Sequence, residues 1–171
     1  MGDGDTPGTC PYLGYGLRLQ REFIGPILRD EPVIDWLEII SDNWLQASSV
    51  ELESLQQLRE RLPLVLHGMS LGIGGARPLD LEYLTRLKSL AEQLRAPWIS
   101  DHLCSGPRRE GHALDLSPLP RTRANVAHLL PRIREVQQRL ERPLLLENIP
   151  QPAAAGIAEM DDWTFIAEVA E

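Results

Sequence analysis

Leu64-Val65-Leu66-His67-Gly68 is a continuous apolar run that stops on a histidine and a glycine. Trp98-Ile99-Ser100-Asp101-His102 and Leu144-Leu145-Leu146-Glu147-Asn148 end in the same manner, on a His and on a Glu-Asn pair. Upstream, Leu37-Glu38-Ile39-Ile40-Ser41-Asp42-Asn43 closes on polar residues too. Runs that are apolar without alternation belong to strands covered on both faces, as in parallel sheets. Working outward from these four, the apolar stretches predict strands over Tyr15–Leu19, Val33–Ile40, Leu62–Leu66, Trp98–Leu103 and Pro143–Leu146.

Helical patterns separate the strands. Ser48 followed by Glu51 fits a capping box, in which each residue satisfies a free backbone N–H of the other, and Leu52, Leu55, Leu58 and Leu62 form the stripe behind it. Asp80 is placed to cap a helix with the stripe Leu81, Leu84, Leu87, Ala91 and Leu94. Thr122 opens a third, carrying Val126, Leu129, Leu130, Ile133, Val136 and Leu140, with Pro131 expected to kink it because proline lacks the N–H its turn requires. Asp161 or Asp162 caps a last helix with Trp163, Ile166 and Val169 facing inward, and a weakly marked helix spans Arg21 to Arg29 across Gly25 and Pro26.

Strand–helix alternation predicts a parallel sheet with helices outside. A dinucleotide-binding open sheet would show G-x-G-x-x-G after its first strand; Gly14-Tyr15-Gly16-Leu17-Arg18 does not match. The polar strand ends favour a (β/α) barrel, which gathers its chemistry at the C-terminal mouth of the strands. The 171 residues, 43% hydrophobic, suffice for one core but fall short of the ~250 residues of a closed eight-unit barrel. The fold class expected is therefore α/β, an incomplete TIM-type barrel of about five of eight βα units. A loose tail is expected over residues 1–11, with residues 12–171 forming the N-terminal part of a single barrel domain. The two edges of such a sheet invite pairing with a complementing chain.

A formal charge of -8 (17 basic, 25 acidic) argues against a nucleic-acid binder. No run approaches a membrane span, and the acidic start MGDGDTPGTCP lacks the apolar segment of a secretory signal. Cys10 and Cys104 make no disulfide framework. These features set the expectation of a soluble, cytoplasmic protein.

One histidine at a strand end is commonly a hydrogen-bonded rim residue, and one glutamate a loop cap. His67, His102 and Glu147 on three consecutive strands are a different matter, since burying them without a metal or mutual partners is costly. Two histidines and a carboxylate suit Zn²⁺, Fe²⁺ or Mn²⁺, and three protein ligands with positions left open suit a catalytic metal.

The same residues carry a resemblance. Gly14-Tyr15-Gly16-Leu17-Arg18, Asp35-Trp36-Leu37-Glu38-Ile39-Ile40-Ser41-Asp42-Asn43, Leu66-His67-Gly68, Ser100-Asp101-His102-Leu103, Ser117-Pro118-Leu119-Pro120 and Leu145-Leu146-Glu147-Asn148 occur in the order of the multinuclear non-haem iron-dependent oxidative enzymes, the family of the methanobactin-biosynthesis oxidase, which the chain resembles along nearly its whole length. The resemblance implies a xylose-isomerase-like barrel holding two or three irons. It also implies dioxygen-dependent modification of a ribosomally made precursor peptide, commonly at cysteine, often with a partner protein that recruits the peptide. His67, His102 and Glu147 match the family's metal ligands, with Glu147 able to bridge two ions. Asp42, Asn43, Asp101 and Asn148 are expected to orient these ligands or touch substrate. The later strand of the family, with its Asp-Val-Asn-Asn motif and further ligands, has no counterpart in this sequence. A zinc- or manganese-dependent isomerase or hydrolase, and an inactive or split-barrel subunit, are the competing readings.

Weaker signals point to structure. Gly68, Gly72, Gly74 and Gly75 lack the Gly-Lys-Ser/Thr of a phosphate loop and read as a tight loop beside the metal. Cys104 reads as a buried thiol, and His112 and His128 have no ligand spacing.

Overall fold

The computed structural model describes residues 10–30, 33–107, 116–149 and 158–171. Five strands run parallel: β1 (Gly16–Arg18), β2 (Trp36–Ile40), β3 (Leu64–His67), β4 (Ile99–Pro107) and β6 (Leu144–Asn148), in the spatial order β1-β2-β3-β4-β6. The register sets Ile39 beside Leu66, Leu66 beside Ile99, and Ile99 beside Leu144. One apolar row thus crosses four strands, and helices cover it. These are α1 (Ile24–Arg29), α2 (Ser49–Arg59), α3 (Leu81–Gln93), α4 (Arg123–Leu140) and α5 (Asp162–Ala170). Leu55, Leu58, Leu84, Leu87, Leu129 and Val136, all essentially inaccessible, meet Leu37, Ile39, Leu64, Leu66 and Ile99 in one cluster. Each such leucine contributes about 1.5–3 kcal/mol through its burial. The incomplete barrel of βα units read from the apolar runs is the fold observed.

The helix starts follow the cap chemistry. Ser48 and Glu51 form the reciprocal capping box, while Asp80, Thr122 and Asp161 accept from the backbone N–H groups of Tyr83, Asn125 and Thr164. α1 tolerates Pro26 because the residue lies in its first turn, where no helical N–H is called for. α4 continues through Pro131 as one 18-residue helix.

Three details differ from the sequence reading. A sixth strand, β5 (Leu116–Pro118), pairs antiparallel with the far end of β4, so the sheet is mixed. Its three residues end on a proline and carry no periodicity, and β4 itself runs four residues past Leu103 to meet it. In α3, Leu81 is exposed and Tyr83 is buried instead. In α5, Trp163 stands 81% exposed while Phe165 and Val169 fill the core, because the cap at Asp161 sets the helix phase from Asp162 onward. No helix among the described residues is long and apolar enough to cross a membrane.

Candidate metal centre

Side chains alternate across a parallel sheet, and neighbours in register share a face. Ile40, His67 and Ser100 lie in one such row, and His102 lies beside Glu147 in the next. The strand ends therefore bring His67, His102 and Glu147 to one point at the barrel mouth. His102 Nε2 is 3.8 Å and His67 Nε2 4.0 Å from Glu147 Oε2, and the imidazoles meet edge to face with centroids 4.8 Å apart. One ligand atom from each residue lies within 4.8 Å of the others, the only such group among the described residues. Two ligands ~2.1 Å from a common ion stand roughly 3.0 Å apart at a right angle and 4.2 Å when opposed; both nitrogen–carboxylate separations fall within that range.

Electrostatics point the same way. Both imidazoles are 7% exposed. Burial, then the neighbouring His67 ring, lowers the His102 pKa, which keeps its nitrogen lone pair available. Among the described residues, Asp42, Asp101 and Glu147 form no ion pair with lysine or arginine. Burial first, with smaller contributions from the carboxylates of Asp42 and Glu147, pushes the Asp101 carboxyl up to about 7 against two backbone hydrogen bonds. His102 Nδ1 is buried without a hydrogen-bond partner. A cation answers both the uncompensated carboxylates and the histidine pair, so the donor set fits a metal.

Behind the ligands lies a polar shelf. Asp101, 1% exposed, accepts from the backbone N–H of His102 (2.7 Å) and of Leu71 (3.2 Å). It thus holds the peptide of one candidate ligand rather than a ring; its Oδ1 is 4.0 Å from His102 Nδ1. Asp42 accepts from the Met69 N–H at 2.8 Å and from the Tyr83 hydroxyl at 3.4 Å, and Ser41 Oγ donates to the His67 carbonyl. Asn43 is the exposed end of a 3₁₀ turn, where its carbonyl accepts from Arg21. Asn148 lies on the opposite face of β6 from Glu147 and lines a crevice with Leu103, Ile166 and Val169. Of the four supporting residues expected, Asp42 and Asp101 thus brace the centre directly, whereas Asn43 and Asn148 stand apart from it.

Three contributors are not visible as such in the sequence: Ser41, Tyr83 and Ser100. The only signal for Ser100 is its spacing two residues before His102, which puts both on one strand face. The glycine loop after His67 does not present a row of free donors as a phosphate cradle would, since three of its four glycine N–H groups are taken: Gly68 donates to Ser100, Gly74 to Cys104 and Gly75 to Gly72. Gly72 (φ +55°) and Gly106 (φ +88°) approach backbone to backbone, and the positive φ together with a Cβ contact of 3.1 or 3.0 Å disfavours a side chain at either. Arg132 donates to the carbonyls of Ile73 and Arg77, and His128 Nε2 lies 3.1 Å from that of Gly75, so α4 holds the loop from outside. Cys104 is buried and its thiol is pushed up by desolvation, away from thiolate character. His112 lies outside the described residues.

A profile of the RiPP precursor modification enzymes MbnB/TglH/ChrH matches residues 14–171. The chain belongs to that family. A UPF0276 protein of Anaeromyxobacter sp. (strain Fw109-5) is 42% identical over 162 residues, covering 95% of this chain and 57% of the relative. A second, from Acaryochloris marina, is 37% identical over 154 residues, covering 90% and 55%. The chain thus spans a little over half the length of these family members. Among solved structures, D-psicose 3-epimerase from Clostridium cellulolyticum H10 superposes with a TM-score of 0.60 at 14% identity, over 91% of this chain and 60% of that one. D-allulose 3-epimerase from Methylomonas sp. gives 0.53 at 14%, over 92% and 59%. At these identities the likeness is one of fold, the xylose-isomerase-like barrel.

Proposed function

We infer that the His67–His102–Glu147 cluster is an iron centre serving dioxygen-dependent oxidation of a ribosomally synthesised precursor peptide, at cysteine. The observation that carries this reading is the convergence of two buried imidazoles and one carboxylate at the barrel mouth, in a chain of the precursor-modifying family. Iron, when bound, supplies the redox chemistry with dioxygen and an open position for a substrate thiolate.

The chain's own residues supply the rest. His67 and His102 offer nitrogen lone pairs from a site shielded on the strand side. Glu147, with a side chain 59% exposed, reaches in from the last parallel strand. Its two oxygens are free to serve one ion or to bridge two, which leaves room for the two or three irons implied by the sequence resemblance. Asp101 and Asp42 fix the backbone on either side of His67 and His102, and the clamped glycine loop walls one side of the mouth.

The reading brings partners with it: the precursor peptide, a protein that recruits it, and further strands, of this or another chain, against the edges of β1 and β6 that are unpaired among the described residues. Anaerobic loading with Fe²⁺ followed by metal counting and oxygen uptake tests it. Retained iron that is lost in His67→Ala and His102→Ala is the expected result. Iron binding indifferent to both substitutions overturns the reading, and tightly held zinc without oxygen consumption favours a hydrolase or isomerase.

A further inference from the structure

The two histidines of the centre are held unequally. Ser100 lies directly beside His67 in the register of β3 and β4. Its Oγ is 2.9 Å from His67 Nδ1 and 3.4 Å from the carbonyl oxygen of Leu66. A serine hydroxyl has one proton and two lone pairs, whereas a carbonyl oxygen only accepts. With the hydroxyl proton directed to Leu66, the Ser100 oxygen meets Nδ1 as an acceptor. The hydrogen of the neutral ring then sits on Nδ1 and the lone pair on Nε2, the nitrogen that faces Glu147. The reverse arrangement gives up the longer, 3.4 Å contact to Leu66 and puts a hydrogen on Nε2, where it blocks coordination.

We propose that Ser100 is a positioning residue that sets the tautomer and orientation of His67, so that this ring presents Nε2 to the centre before any ion arrives. His102 has no equivalent. Its Nδ1 is buried and unpartnered, and the nearby Asp101 Oδ1 is engaged by the His102 backbone N–H at 2.7 Å. His67 is thus the preset ligand and His102 the one that settles on binding. The consequence for metal affinity rests on the iron-centre reading; the tautomer does not.

Because ring hydrogens are inferred from hydrogen-bond networks, the test observes them directly. Long-range ¹H–¹⁵N correlation on the metal-free chain, labelled at histidine and held near pH 8 so that the rings are neutral, reports which nitrogen carries the hydrogen. His67→Ala assigns the signal. In the unsubstituted protein His67 is expected as the Nδ1–H form and His102 as a mixture. Ser100→Ala is expected to turn His67 into a mixture, and Ser100→Thr, which keeps the hydroxyl, to restore it. Cobalt titration followed by visible absorption is expected to show about tenfold weaker binding in Ser100→Ala and recovery in Ser100→Thr. Thermal unfolding and the His128 signal confirm that each variant is folded. An Nε2–H ring at His67 in the unsubstituted protein overturns the proposal without need of any variant, as does an unchanged tautomer in Ser100→Ala. A Ser100-dependent tautomer in a chain that takes up no metal overturns the iron reading and leaves this one standing.

Discussion

Gly68→Ala adds one methyl group at a place where the structure leaves no room for it. A Cβ there would lie 2.3 Å from Asp101 Oδ2, 3.2 Å from Asp101 Cγ and 3.0 Å from the Tyr83 hydroxyl. Gly68 is not among the residues with positive φ, so the penalty is one of space rather than of backbone conformation. The carboxylate cannot simply step aside, because its two oxygens accept from the backbone N–H groups of His102 and Leu71. Overpacking of this kind costs about 1–3 kcal/mol, and breaking one charged hydrogen bond to make room adds about 1.5–3 kcal/mol. A loss of about 3 kcal/mol corresponds to a fall in Tm of roughly 6–12 °C for a domain of this size. Circular dichroism melting, with Gly25→Ala as the comparison, measures it. At Gly25 a Cβ meets only the mobile end of the Arg29 side chain, at 3.3 Å, and Tm should hold or rise slightly. Gly68→Ala melting within about 2 °C of the unsubstituted protein would refute the packing described around Asp101.

Leu55→Ala, at a fully buried position on α2, should cost about 2–5 kcal/mol in urea unfolding, whereas Val50→Ala, 68% exposed, should stay within about 0.5 kcal/mol. Acid stability should report Glu51, whose carboxyl is held down at about 2, first by the Ser48 backbone N–H and then by the Arg21 and Ser48 side chains. A folded pKa below the unfolded value of about 4.3 means a contribution fully present above that pH and lost as pH falls towards 2. Glu51→Gln should therefore flatten the acid limb of the stability curve, by less in high salt because the group is exposed; an unaltered limb would count against the capping box. Arg132→Met should speed amide hydrogen exchange at residues 73–77 while leaving the α2 and α3 amides protected, since it removes the donors to the Ile73 and Arg77 carbonyls. Uniform acceleration across the chain would instead mean that Arg132 supports the whole fold.

The barrel was legible because burial on both faces writes itself into sequence as uninterrupted apolar runs, and because Ser48, Asp80 and Thr122 mark helix starts by a local hydrogen bond. His67, His102 and Glu147 could be read as a set because each interrupts such a run at its end. What escaped depends on neighbours distant in sequence. β5 exists only because the far end of β4 lies beside it, and Trp163 looks like core until the cap at Asp161 fixes the phase of α5. Asn148 follows Glu147 directly, yet pleating sends the two to opposite faces. Tyr83 is an unremarkable letter until folding places it against Asp101, and the partner of His67 turned out to be Ser100 rather than the more conspicuous Asp101.

The meeting of Gly72 and Gly106 constrains how this loop could change over time. A side chain at either position would be strained by its positive φ and crowded by the facing backbone, and no paired exchange relieves this, since enlarging both worsens the fit. The four residues between His67 and Gly72 are then fixed in number as well as in path, because one inserted or deleted residue would slide a bulkier neighbour onto Gly106. Variation in loop length among relatives should be sparse between His67 and Gly72 and permitted elsewhere around the mouth, so that the region nearest the candidate ligands is the least free to diversify.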